Sequence, residues 1–303
     1  MSYIELYERG ILKKRAEELN KLLEKCHLCP RKCLVNRLQD EKGFCGAGRS
    51  VVVSSWNLHF GEEPPISGYR GSGTIFFTHC NLRCCFCQNY PISQLGNGQE
   101  VEISELARMM VRLQKLGAHN INFVTPTHFV PQIVEALGIA IEEGLKIPLV
   151  YNSGGYDAEE TLQLLDGIMD IYMPDAKYST PESGRTYSKA ADYFEVNKKA
   201  LLEMHRQVGD LKMDKEGIAK RGLLIRHLVM PQDVVGSRKV LEFIARNISK
   251  NTYMSIMAQY HPAHLAFEFP EISRRIYKRE YDAVLKMADE LGLERGWRQD
   301  FWE

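Results

Sequence analysis

The chain has 303 residues, enough to bury one substantial core and to form a single barrel-sized unit with appendages. Its 39 basic and 39 acidic side chains balance, so no basic stripe argues for nucleic acid and no polybasic segment for a membrane surface. Residues 1–20 are charged, without an apolar core of signal-peptide length, and no run approaches the ~18 apolar residues of a spanning helix, which predicts a cytoplasmic protein.

Ile4, Ile11, Leu12, Leu19, Leu22 and Leu23 recur at roughly helical spacing among charges and predict a helix over 4–25. It delivers the chain to Cys26-His-Leu-Cys29-Pro-Arg-Lys-Cys33, followed after eleven residues by Cys45: Cys-x2-Cys-x3-Cys-x11-Cys. Four thiolates make a tetrahedral set for one zinc ion or a full set for an iron–sulfur cluster. Gly43, Gly46 and Gly48 supply the turns that bring Cys45 back, and His27 reads as a solvent-facing residue between ligands. Residues 50–73 read as irregular, with a short strand at 51–53 and turns at 62–65 and 68–71.

The apolar run at 74–78 leads into Cys80-Asn-Leu-Arg-Cys84-Cys85-Phe-Cys87. All eight cysteines lie between Cys26 and Cys87, and in a reducing compartment such clustering favours metal ligation over disulfides. Cys80, Cys84 and Cys87 form Cys-x3-Cys-x2-Cys. Three thiolates cannot saturate a four-iron cluster, in which each iron needs its own ligand, so one iron stays open to a chelating substrate. Zinc, disulfides and buried free thiols are the other readings of so dense a loop. Cys85 does not fit the spacing and reads as a packing thiol.

Beyond residue 73, short β-rich runs alternate with amphipathic stretches. Strands are expected at 74–78, 120–125, 148–152, 168–174, 222–230 and 253–258. Helices are expected at 104–116, 131–143, 158–165, 187–208, 234–248 and 271–291. This pattern predicts an α/β fold, a partial (β/α)6 TIM-like barrel with an N-terminal cysteine-rich extension and a C-terminal helix. The expected divisions are 1–72, 73–264 and 265–303, with the aromatic stretch 296–302 packed back on the barrel.

Chemistry in such barrels gathers at the C-terminal ends of the strands. Those ends carry Thr127 and His128; Asn152 and Ser153; Asp175 and Lys177; Arg226; and Tyr260-His261. A carboxylate and ribose hydroxyls call for a guanidinium fork and short polar acceptors, which this set offers.

With its cysteine loop, the chain resembles the radical S-adenosylmethionine (SAM) enzymes, and Phe86 before the last cysteine fits their pattern. Over roughly residues 73–264 it is similar to the pyruvate formate-lyase activating enzymes. Asp175 and Lys177 match the family's Asp-x-Lys, Ile225-Arg226 with Pro231 its Ile-Arg motif, Tyr260-His261 its Tyr-His, and Asn152-Ser153-Gly154 its Thr-Asn-Gly. Two positions depart. Pro126-Thr127-His128 stands where the family has Gly-Gly-Glu, leaving Thr127 or His128 to meet the SAM amino group, and Tyr151 replaces an Asp. The Cys26-x2-Cys-Pro-Arg-x-Cys33 group places the resemblance with the PflX-type homologues.

The resemblance implies a [4Fe-4S] cluster on Cys80, Cys84 and Cys87. It further implies SAM held by Thr127, His128, Asn152, Ser153, Asp175, Lys177, Arg226 and His261, and reductive SAM cleavage to a 5′-deoxyadenosyl radical that abstracts hydrogen. A chain loaded with one cluster makes iron–sulfur the preferred metal over zinc at Cys26, Cys29, Cys33 and Cys45. The expected partners are a low-potential flavodoxin or ferredoxin and a protein or peptide substrate, with glycyl-radical formation the leading case. Two other classes are a non-catalytic iron–sulfur or zinc protein for electron transfer or scaffolding, and a zinc hydrolase using His261-x2-His264. The second lacks a glutamate between its histidines.

Overall fold

The N-terminal helical pattern divides into α1 (Tyr3–Glu8) and α2 (Ile11–Lys21), because Gly10 between them takes φ 67°, a left-handed conformation without steric cost for glycine. The computed structural model describes residues 2–301. Beyond α2 the chain runs through β1 (Val51–His59), α3 (Pro64–Ser67), β2 (Ser72–Phe77), α4 (Tyr90–Ser93), β3 (Gln99–Val101), α5 (Ile103–Lys115) and β4 (Ile121–Val124). It continues with α6 (Val130–Glu142), β5 (Leu149–Asn152), α7 (Glu159–Leu164), β6 (Ile171–Tyr172), α8 (Pro181–Ser188), α9 (Tyr193–Val208), β7 (Lys212–Met213) and β8 (Ala219–Leu228). The last elements are α10 (Ser237–Asn247), β9 (Tyr253–Met257), α11 (Lys278–Glu290) and β10 (Gly296–Arg298).

One sheet holds the strands in the order β10-β9-β8-β6-β5-β4-β2-β1-β3, with β7 beside β8. From β2 to β10 along this order the neighbours are parallel, while β1 is antiparallel to both β2 and β3. Among the described residues the β10 and β3 edges do not pair, so the partial barrel is open between them. The α/β barrel expected from the strand–helix alternation is the fold observed.

Several boundaries differ for local reasons. β1 runs to His59 rather than stopping at 53, its register shifting between Val53 and Ser55, an irregularity that breaks the alternation a sequence reading depends on. The helix expected over 187–208 is α8 and α9, parted where Lys189 takes φ 52°. The helix expected from 271 begins at Lys278, after a 3-10 turn at Pro270–Ile272. Near the C-terminus β10 pairs with β9 and Phe301 stacks on Tyr281 at 6.2 Å, while Trp302 of the expected aromatic tail lies outside the described residues.

The core is aromatic where the sheet meets its helices: Phe77 lies 6.3 Å from Phe123 and 5.7 Å from Phe129. Such pairs add ~1 kcal/mol each beyond the area they bury. The N-terminal end of the barrel is closed by the crossing from β1 to β2. His59 pairs with Ser72, the first residue of β2, so the chain between them passes beneath the parallel strands. There α3 inserts Ile66 among Val150, Ile171, Leu224 and Tyr253, and Asn120 Nδ2 donates to the Ile66 carbonyl at 2.8 Å.

Candidate active site and cysteine centres

β2 ends at Phe77 and the chain turns sharply through His79 (φ 66°) and Arg83 (φ 54°), wrapping Cys80–Cys87 over the C-terminal edge of the barrel. Each of the three spaced thiols has a hydrogen-bond neighbour. The Leu82 amide donates to Cys80 Sγ at 3.3 Å, the Ser188 hydroxyl donates to Cys84 Sγ at 2.9 Å, and Ser93 Oγ lies 3.2 Å from Cys87 Sγ. Burial pushes the Cys80 thiol up to about 12 and raises Cys87, with Cys84 adding to both. The thiolate is the ligand form, so a metal bound here would displace these protons to solvent. Cys85 faces away. Its amide donates to the Tyr187 carbonyl, its carbonyl accepts from the Leu265 amide, and burial holds its thiol at about 12.

Cys80, Cys84 and Cys87 border a cavity of about 420 Å³. Asn152, Ser153, Asp175, Lys177 and Arg226 line it as well, from the ends of β5, β6 and β8. Arg226 Nε donates to Asp175 Oδ1 at 2.9 Å and Nη2 to Asn152 Oδ1 at 2.8 Å, while Lys177 Nζ donates to Asp175 Oδ2 at 2.5 Å. Burial alone would raise Asp175, but Arg226 and Lys177 outweigh it and hold the carboxyl below its usual range. Burial disfavours the Lys177 charge, yet Asp175 keeps it raised. The Ser153 hydroxyl is turned inward to Asp157 Oδ2 at 2.6 Å.

Other residues expected at the site lie elsewhere. Thr125 takes φ 60°, unusual for a β-branched residue, and turns the chain back into the core. Thr127 Oγ1 therefore donates to Asp157 Oδ1 at 2.7 Å, beside the Tyr151 hydroxyl at 2.9 Å, and does not line the cavity. His128 is also directed away, its Nε2 on the Thr78 carbonyl at 2.7 Å. Val124 and Thr125 line the wall in their place. His261 sits at the rim, Nδ1 3.1 Å from Gln88 Nε2, and His264 stacks on Tyr90 at 4.8 Å, so the two histidines serve different partners. Glu62 and Glu63, on the crossing beneath the barrel, also line the cavity. Burial lifts Glu62 to about 7, Arg226 opposing and Glu63 reinforcing the shift.

Cys26, Cys29, Cys33 and Cys45 converge on a second, smaller pocket with Arg37 and His128. Its knuckle is a short hairpin in which the Cys26 amide donates to the Val35 carbonyl and the Leu34 amide to the Cys26 carbonyl, both at 2.9 Å. The Phe44 amide donates to Cys33 Sγ at 3.3 Å, and the Arg31 and Ala47 amides serve Cys29 and Cys45. A side chain at Gly43 would stand 2.8 Å from Cys33 Sγ, so the return strand requires glycine.

Arg37, 1% exposed, donates to the Gly48 carbonyl from Nε (3.0 Å) and Nη2 (2.8 Å) and to the His128 carbonyl from Nη1 (2.7 Å). Among the described residues no carboxylate forms an ion pair with it. A buried guanidinium without an acid needs another anion, and four metal-bound thiolates are one. With its Nε2–H on Thr78, His128 turns an unpartnered Nδ1 lone pair within the same pocket, and burial lowers the ring to about 3, keeping it neutral. The room between the thiols is about 10 Å³, one water-sized body. Among the described residues no three His, Cys, Asp or Glu side chains are arranged to hold one metal ion.

Three thiols on a loop at the C-terminal edge of an open α/β barrel, over a charged cavity, form a candidate site for an iron–sulfur cluster. The Radical SAM superfamily model matches residues 74–244, and the chain belongs to that superfamily. Membership implies a [4Fe-4S] cluster and SAM as cofactors. The uncharacterized protein MJ0674 of Methanocaldococcus jannaschii is 32% identical over 301 residues, 96% of this chain and 82% of that one. The uncharacterized protein MJ0808 of the same organism is 22% identical over 300 residues, 92% of this chain and 81% of that one. A solved chain described as native anSMEcpe with bound AdoMet matches at TM-score 0.46 and 14% identity, over 75% of this chain and 58% of that one. TsrM, a radical SAM methyltransferase from Kitasatospora setae, matches at TM-score 0.42 and 15% identity, over 61% of this chain and 36% of that one. This chain spans less than two thirds of either solved chain. Among the described residues no helix is long and apolar enough to cross a membrane.

Proposed function

We propose that this radical SAM enzyme works in the manner of the activating enzymes, on a protein or peptide. In this reading Cys80, Cys84 and Cys87 hold the cluster, and Asn152, Asp175, Lys177 and Arg226 hold SAM. Once bound, the cluster supplies the electron that cleaves SAM and so the radical that takes hydrogen from the substrate.

The observation that carries the proposal is the ion-paired set Arg226–Asp175–Lys177, sharing one cavity with the three thiols. Arg226 and Lys177 offer a fork and a point charge to a carboxylate, while Asp175 and Asn152 accept from hydroxyls and hold the fork in place. Their burial removes competing water and strengthens each contact. The lateral opening between β10 and β3 supports a polypeptide substrate, since an extended loop can enter from the side. The Cys26–Cys45 pocket, with its amides on sulfur and its buried Arg37, supports a second thiolate-held metal centre. A low-potential flavodoxin or ferredoxin completes the reading as electron donor. A purely electron-carrying role would leave Arg226, Asp175 and Lys177 without a task.

The test is anaerobic reconstitution with iron and sulfide, addition of SAM and dithionite, and mass spectrometry of 5′-deoxyadenosine, with iron, sulfide and zinc counted in the same sample. Nucleoside release that disappears in Cys84→Ala and survives in Cys85→Ala supports the ligand assignment. Release that persists in Cys84→Ala overturns it.

A further inference from the structure

The cavity has a floor that the SAM-holding residues do not use. Its two ends are set by strand register. The thiols sit beyond the C-terminal end of β2, whereas the segment carrying Glu62 and Glu63 crosses the N-terminal ends. Glu62 meets Asn122, three residues before the cavity wall at Thr125, which places the floor ~10 Å below the rim at the rise of a strand.

This floor is rigid. The Ser67 hydroxyl closes on the Glu62 backbone, accepting from its amide at 3.1 Å and donating to its carbonyl at 3.2 Å, and Ile66 anchors the next turn in the apolar cluster beneath. Asn122 Nδ2 donates to Glu62 Oε1 at 2.9 Å, so that carboxylate is aimed by β4.

What the floor presents is a set of acceptors lacking donors. Glu63 is 3% exposed and lines the cavity, yet its Oε2 is buried without a hydrogen-bond partner. Asn122 Oδ1, behind it, is also buried and unpartnered. Glu62 Oε2 stands 3.8 Å from Arg226 Nη1, an ion pair beyond hydrogen-bond reach, while Nε and Nη2 of Arg226 serve Asp175 and Asn152. Three acids, Glu62, Glu63 and Asp175, thus face two cations, Lys177 and Arg226. Buried acceptors left open cost ~1–3 kcal/mol each, a penalty a protein keeps where a ligand supplies the donors.

We propose that Glu62 and Glu63 form the substrate-recognition floor of this enzyme and receive a cationic group of the substrate, a primary ammonium or a guanidinium. The proposal rests on the reading of the same cavity as the radical SAM site. It adds that the group attacked is delivered on a chain that also carries a positive charge ~10 Å deeper. An ammonium brings three donors and a guanidinium five, matching the open oxygens, while a carboxylate or an alkyl end would leave them unpaired. SAM is also a cation, but the open iron that its amino and carboxylate groups would seek lies at the thiol end.

The experiment is calorimetric titration of the reconstituted, SAM-saturated protein with four probes of equal chain length: n-pentylammonium, n-pentylguanidinium, n-pentanol and pentanoate. Both or one of the cations should bind at least about tenfold tighter than pentanol, with pentanoate weakest, and Glu63→Gln and Glu62→Gln should each remove about tenfold of that preference. The relative affinity of the two cations tells which head group the floor suits. Equal binding of all four probes, or a cation preference unchanged in both variants, overturns the proposal. Cation binding seen only in the absence of SAM also overturns it, because SAM itself would then be the occupant. If a variant unfolds, the wild-type series alone decides. The readout needs no SAM cleavage, so its failure and the absence of 5′-deoxyadenosine are separate results.

Discussion

Replacing Arg37 with Met tests whether the four N-terminal thiols are bound as thiolates. In protein stripped of metal, burial holds the Cys29 thiol at about 12 and raises Cys45, so neither faces the guanidinium as a thiolate. An apolar side chain of similar length then loses three hydrogen bonds to carbonyls but is spared the burial of an unpaired charge, two effects of several kcal/mol that largely offset. With metal bound, the thiolates carry net negative charge. At an effective dielectric of ~20, a unit charge several ångströms from a guanidinium is worth ~2 kcal/mol to it. Met should therefore weaken metal retention by about thirtyfold per unit charge while changing the stability of stripped protein little. Retention is read by competition with a colorimetric chelator, and stability by urea unfolding of loaded and stripped samples. Arg37→Lys, which keeps the charge but cannot span the Gly48 and His128 carbonyls together, should fall between. Equal destabilisation of loaded and stripped protein by Met, or unchanged retention, would refute the argument.

Two further predictions concern the cavity. Arg226→Met removes the fork and leaves Asp175 to Lys177 alone, so SAM affinity in equilibrium dialysis should fall by about a hundredfold, the ~3 kcal/mol expected when one partner of a buried charged pair is lost. Unchanged affinity would remove Arg226 from the SAM site. Glu62 titrates at about 7 in the folded protein against 4.5 ordinarily, facing Glu63, Arg226, Asp175 and Asn122. A raised acid contributes stability that is complete below ~4.5 and lost as pH rises through ~7, a span worth ~3 kcal/mol. Glu62→Gln has no such loss, so its stability relative to wild type should rise between pH 5 and pH 8. Parallel stability curves over that range would show Glu62 to be an ordinary carboxylate.

The parts of this molecule legible in its sequence are those fixed over short spans. The loop Cys80–Cys87 is a local pattern, and β2, β4, β5, β8 and β9 show as β-branched or aromatic runs bounded by turns. β6 is only two residues long within the stretch 168–174 expected as a strand, because sheet pairing, not composition, sets its ends. What stayed hidden depends on distant contacts. Nothing near Glu62 and Glu63 announces that Asn122, sixty residues on, will meet them beneath the barrel. Thr127 and His128 read as strand-end residues until the positive φ of Thr125 turns them inward, a conformation that composition argues against at a threonine. His128 thereby belongs to the pocket of Cys26–Cys45, a hundred residues upstream.

The knuckle between Cys29 and Cys33 also reaches across to the other cysteine loop. Arg31 Nε donates to the Asn81 carbonyl at 2.8 Å and Nη2 to that of Ser188 at 2.9 Å, the residue whose hydroxyl serves Cys84. His128 braces the Thr78 carbonyl just ahead of Cys80. The two loops are thus guyed to one another, as a mast is by its stays. Loss of order in one loop is therefore expected to reach the other, and the barrel trimmed of its extension would be a mast without rigging.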